Sequence, residues 1–132
     1  MITTLGLMPA RWLILTGLGT RDGGDDERIR RGFGAAARRA SESGASSLAA
    51  ALPDGLDASA VSAAIEGIAL ALYRFPNYKS TGALPGTAVT SVELWSAATL
   101  PEGAVAHGEA VASGVALARD LVNTTSNDKT PP

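Results

Sequence analysis

A chain of 132 residues suits one domain of ordinary size. Its 45% hydrophobic content includes 25 alanines, and with 15 glycines alongside them only 35 large apolar side chains remain to build a core. Eleven basic and 13 acidic residues give a net charge of −2, which provides no global field for nucleic acid or an anionic membrane. The absence of cysteine excludes disulfides, thiolate metal sites and cysteine nucleophiles, and it fits a reducing compartment.

Charged residues at 18% and a mean hydropathy of +0.13 argue against wholesale disorder. No stretch reaches the roughly 18 uninterrupted apolar residues of a transmembrane helix. Residues 1–19 are apolar in flavour, but they lack a basic leader and Arg11 interrupts them, so no secretory signal is expected. The expectation is a soluble, cytoplasmic protein.

In chain order, residues 12–16 form a short continuous apolar run closed by Gly17 and Gly19, which predicts a strand buried on both faces. Turn-rich residues 20–26 follow. Ile29, Phe33, Ala36, Ala37 and Ala40 then share one helical face, with Asp25 or Asp26 as cap and Gly44 as terminator. Residues 45–52 are ambiguous. Their alanines favour helix, whereas their brevity between Gly44 and Pro53-Asp54-Gly55 favours a strand with Leu48 and Leu52 on one face, and a strand is the expectation.

Val61, Ala64, Ile65, Ile68, Ala69 and Leu72 predict a core-facing helix capped by Asp57 or Ser59 and ended near Pro76. Residues 77–86 read as a loop and 87–95 as a strand. Pro101-Glu102 opens a third helix whose face is Val111, Gly114, Val115, Ala118 and Val122. Beyond Asn123 the tail has no apolar residue and reads as exposed linker. The order β-α-β-α-β-α predicts an α/β sheet covered by helices, narrow at three strands.

Few chemical motifs emerge. Gly17-Leu18-Gly19 invites a phosphate-loop reading, but Asp22 stands where a dinucleotide fingerprint needs glycine. Asp25, Asp26 and Glu27 also crowd the helix start where a pyrophosphate would sit. Arg28, Arg30, Arg31, Arg38 and Arg39 could form a basic stripe, and the simpler reading is a solvated face balanced by Asp25, Asp26, Glu27 and Glu42. Tyr73-Arg74-Phe75-Pro76-Asn77-Tyr78-Lys79 alternates aromatics and cations as a single-strand binder would. Because it follows a core helix, Tyr73 and Phe75 are expected to pack while Arg74 and Lys79 snorkel. His107 is the only histidine, and Glu109, two positions on, faces elsewhere on a helix. Glu66, Glu93, Glu102, Glu109 and Asp120 are scattered without metal-ligand spacing.

Two segments carry a family resemblance. Glu66-Gly67-Ile68-Ala69-Leu70-Ala71-Leu72-Tyr73-Arg74-Phe75-Pro76-Asn77-Tyr78-Lys79 is one. The other is Gly114-Val115-Ala116-Leu117-Ala118-Arg119-Asp120-Leu121-Val122-Asn123-Thr124, followed by Asn127 and Thr130-Pro131. In this order they closely resemble the leucyl aminopeptidase (cytosol aminopeptidase) family, and residues 13–19 look like that family's mid-domain strand and turn. Thr125-Ser126 stand where relatives often have proline or alanine, which makes the linker less stiff.

The resemblance implies a three-layer αβα, macrodomain-like N-terminal domain, incomplete because strands expected before Ile2 are missing. Residues 1–122 would be this partial domain, and residues 123–132 a linker toward a catalytic domain beyond Pro132. It further implies a homo-hexamer, peptide substrates, and two divalent ions, Mn or Zn, held by carboxylates and a lysine in the catalytic domain. No catalytic, cofactor-binding or metal-ligating residue carries over to this chain, which is therefore expected to be inactive alone. No membrane partner is expected, and nucleic acid is disfavoured. The alternative is a free-standing macrodomain-like module that binds a nucleotide or nucleic acid, with the segment from Tyr73 to Lys79 as its only sequence feature. A third reading, an oligomerisation or regulatory remnant, merges with the first if the gene continues downstream.

Overall fold

The structure is a computed structural model and describes residues 1–19, 26–75, 77 and 89–129. Seven helices and strands are described, followed by one 3-10 turn. β1 (Ile2–Thr3) pairs antiparallel with β2 (Trp12–Leu13), in register Ile2 with Leu13 and Thr3 with Trp12. Buried Thr4 closes this pair, its hydroxyl donating to the Ala10 carbonyl at 2.5 Å. The predicted strand is thus shorter than residues 12–16, and it is not buried on both faces: Leu13 is 39% and Leu15 70% exposed. A doubly buried strand needs neighbours on both edges and layers on both faces, and among the described residues β2 has only β1.

α1 (Asp26–Glu42) buries Ile29, Phe33, Ala37 and Ala40 as the spacing predicts, with Ala36 half-buried. Asp26 lies inside its first turn and complements the dipole, while Asp25 lies outside the described residues. At the other end Gly44 adopts φ +78°, donating to Ser41 while Ala45 donates to Ala40, both at 3.1 Å. These two reversed bonds satisfy terminal carbonyls and need a left-handed residue, hence glycine.

β3 (Ser47–Ala51) and β4 (Ser91–Trp95) pair in parallel from Ser47 with Ser91 to Ala51 with Trp95. Bonds from Thr90 to Ser46 and from Leu52 to Trp95 extend the ladder. Residues 45–52 therefore resolve as strand. Leu48, Ala50 and Leu52 alternate onto the core face with Leu94, and the opposite face carries exposed Ala49, Ala51, Glu93 and Trp95.

α2 (Ala58–Leu72) is capped by Asp57, whose carboxylate accepts from the Ala60 backbone at 2.9 Å. Every residue from Ala60 to Ile68 is buried, because α1 packs on one side of this helix and α3 on the other. Ala69 is exposed, contrary to expectation. The helix ends at Leu72, Tyr73 turns to extended backbone with ψ 133°, and Pro76 lies outside the described residues, as does the expected loop apart from Asn77.

α3 (Ala104–Asn123) starts after Gly103, so Pro101-Glu102 precedes the helix rather than forming its first turn. Its predicted face is also wrong. Ala104, Gly108 and Ala112 are buried, Val115 is half-buried, and Val111, Gly114, Ala118 and Val122 are exposed, Val122 by 80%. The cause is close approach: a Cβ on Gly108 would lie 2.9 Å from the Ser62 carbonyl oxygen and 3.0 Å from the Ile65 Cβ. Only the small-residue side of α3 can come that near. Asn123 belongs to this helix, and a 3-10 turn (Ser126–Asp128) follows in the exposed tail.

The chain is α/β, with helix and strand alternating after β2. The expected single three-stranded sheet is instead two separate two-stranded sheets among the described residues. One helical layer, with α2 central, covers one face of the β3–β4 sheet.

Candidate functional site

α1 and α2 cross through glycines. A Cβ on Gly34 would sit 3.0 Å from the Gly67 carbonyl, and Gly67 packs directly on the Arg30 backbone. Arg30 meets Glu66 and Arg74 meets Ser41, so partner positions rise together and the helices run in the same direction. Along this crossing runs a groove of about 390 Å³ lined by Arg30, Arg31 and Arg38 of α1, Leu70 and Ala71 of α2, and Arg119 of α3. Among the described residues Glu27 is the one carboxylate in its lining.

The charges are unevenly balanced. Glu27 bridges Arg30 and Arg31, each at 2.7 Å, and these two guanidiniums hold its carboxyl below the usual range. Arg30 also pairs at 2.9 Å with Glu66, whose side chain is only 12% exposed, and its bonds to Glu27 and Glu66 raise its own pKa. Arg39 pairs with Glu42 at 3.3 Å. Among the described residues Arg38 and Arg119 have no carboxylate partner. Arg119 donates to the Leu70 carbonyl at 3.3 Å and lies 5.3 Å from the Tyr73 ring centroid. Tyr73 in turn donates to Asp120 at 2.6 Å. Desolvation, then the Asp120 bond, pushes the Tyr73 phenol above its ordinary pKa.

Several of the other candidates pack or hydrogen-bond within the fold. Leu18 of the Gly17-Leu18-Gly19 turn occupies the space where a Cβ on Gly32 would stand, so the turn packs on α1, and Asp22 lies outside the described residues. In the aromatic-basic segment Tyr73, Arg74 and Phe75 are half-buried and Arg74 donates to the Ser41 hydroxyl at 2.6 Å, while Tyr78 and Lys79 lie outside the described residues. Exposed His107 and Glu109 are not brought to a common site, and Glu93 accepts from the Trp95 indole at 3.2 Å. Among the described residues no group of three or more His, Asp or Glu could hold a metal ion. No described helix is long and apolar enough to cross a membrane. Sequence reasoning overlooked that Arg119 joins the arginines of α1. Its only sequence signal was an arginine without an oppositely charged residue one helical turn earlier or later.

The family profile described as "Cytosol aminopeptidase family, N-terminal domain" matches residues 1–82. A "Probable cytosol aminopeptidase" of Microcystis aeruginosa is 40% identical over 130 residues, covering 98% of this chain and 26% of that protein. One from Synechococcus elongatus is 42% identical over 124 residues, covering 92% and 24%. Among solved structures, the bottromycin maturation enzyme BotP matches with a TM-score of 0.71 at 33% identity, over 89% of this chain and 25% of its own. The same enzyme in complex with Mn gives 0.69 at 34%, over 89% and 24%. The chain spans about a quarter of the length of these relatives. By the extent and order of these matches it belongs to the cytosol aminopeptidase family, to that family's N-terminal domain.

Proposed function

We propose that the chain is the non-catalytic N-terminal portion of a cytoplasmic metallo-aminopeptidase that releases N-terminal residues of leucine type from peptides. The observation that carries this reading is the asymmetry of the match: nearly all of this chain aligns, against only a quarter of each relative. In this reading residues 1–122 form the macrodomain-like domain and residues 123–132 lead toward the catalytic part. The domain packs against that part, helps to assemble a homo-hexamer, and restricts access to the site.

Two divalent ions, Mn or Zn, would activate water and polarise the scissile carbonyl in the catalytic part, and a relative's complex with Mn supports the metal class. The described residues here offer no ligand set for them, so what this chain contributes is surface and support. The expected result with the isolated 132 residues is no hydrolysis of leucine p-nitroanilide with Mn²⁺ or Zn²⁺ added. Sustained, chelator-sensitive turnover would overturn the assignment. Sequencing the gene downstream of Pro132 tests the parent directly, because a lysine-and-carboxylate metal motif is expected there.

A further inference from the structure

Two guanidiniums in the α1–α2 groove stand without carboxylate partners among the described residues, Arg38 and Arg119. Both line the same groove. Arg38 lies one turn beyond Gly34, where a Cβ would touch Ala71 at 3.7 Å, and Arg119 reaches the Leu70 carbonyl from the side of α3. Arg38 thus stands about one turn further along the groove than the Leu70 carbonyl that Arg119 meets. Glu27 lies eleven positions before Arg38, about 16 Å away along the helix axis, and is occupied by two other arginines. A molecule of net charge −2 thus holds a local positive site at one end of a groove of about 390 Å³.

Arg119 is oriented in advance by the Leu70 carbonyl and the Tyr73 ring. A guanidinium fork matches carboxylate and phosphate oxygens, and two forks select an anion of more than one charge. We propose that the groove between Arg38 and Arg119 binds a small oxyanion carrying at least two negative charges, of phosphate or carboxylate type. The site lies on this chain alone and stands independently of the aminopeptidase reading.

Pyrophosphate and citrate, titrated separately at low salt against the isotope-labelled chain, test it through the arginine Nε–H resonances. Saturable shifts are expected at Arg38 and Arg119 and not at Arg39, with millimolar affinity. Arg38→Gln should weaken binding about fivefold, the upper end for an exposed ionic contact, whereas Arg39→Gln should leave it unchanged. Because Arg38 is exposed and has no ion-pair partner among the described residues, its replacement leaves the fold intact, and a thermal melt of each variant checks this. A response to pyrophosphate alone assigns a phosphate source, to citrate alone a carboxylate source, and to both the shared chemistry. Silence with both anions, or equal binding by Arg38→Gln, refutes the site.

Discussion

Gly108 and Gly114 occupy the interior of the same helix and differ in what a methyl group would meet. At Gly114 nothing lies within 4 Å, whereas at Gly108 a Cβ would approach the Ser62 carbonyl at 2.9 Å and the Ile65 Cβ at 3.0 Å. Alanine in place of glycine in a helix interior gains about 1 kcal/mol from propensity alone, so Gly114→Ala should stabilise by about that amount. For a chain of this size that raises Tm by roughly 3–5 °C. At Gly108 the same gain is opposed by overpacking of about 1–3 kcal/mol, since α3 must retreat by about 0.5 Å and weaken the surrounding dispersion contacts. It would also stretch the contact between the Ser62 hydroxyl and the Ala104 carbonyl, now 2.8 Å. Gly108→Ala should therefore be neutral to about 2 kcal/mol destabilised. Propensity cancels between the two variants, so their difference isolates the α2–α3 contact. Urea and thermal unfolding followed at 222 nm measure it, and equal stabilisation by both variants would refute the close approach.

Removing Arg30 should cost about 2–3 kcal/mol, because it leaves the nearly buried Glu66 carboxylate without its guanidinium. Glu66→Ala should cost less, since Arg30 keeps Glu27; urea unfolding of both variants gives the order, and the reverse order would sink the argument. The raised Tyr73 pKa makes a contribution to stability that is fully present below pH 10, the ordinary tyrosine value, and is lost as pH rises through the folded pKa. In a Tyr78→Phe background the 295 nm titration should therefore run above pH 10, and Tyr73→Phe should abolish that pH dependence of Tm. Asp57 is held below its usual pKa first by the Ala60 backbone N–H, so its contribution is present above about pH 4 and lost as pH falls further. Asp57→Ala should lower Tm at pH 7 and narrow the gap at pH 3, and an undiminished gap would count against the cap.

The legible elements are those in which local pattern and burial coincide. α1 and α2 carry large aliphatics at helical spacing, Asp57 stands one residue before a helix, and Gly44 ends another. Trp12 to Thr16 reads as a buried strand by the same logic, yet its burial depends on neighbours that local sequence does not supply. For the groove, the arginines of α1 were visible as a stripe, and their near partners Glu27 and Glu42 followed from spacing. Arg119 was not assignable to it, because it lies 81 positions from Arg38 and reaches the groove only through the packing of α3 on α2.

By itself the sequence determined the α/β class, the Asp57 cap of α2, the Gly44 reversal after α1 and the family, since each depends on residues near in the chain or on an ordered motif. Tertiary structure alone decided which side of α3 is inside. Hydrophobic periodicity ranks the valine side first, but it does not register that glycine and alanine allow backbones to approach. In a core with few large side chains, that approach prevailed, and it placed two arginines in one groove.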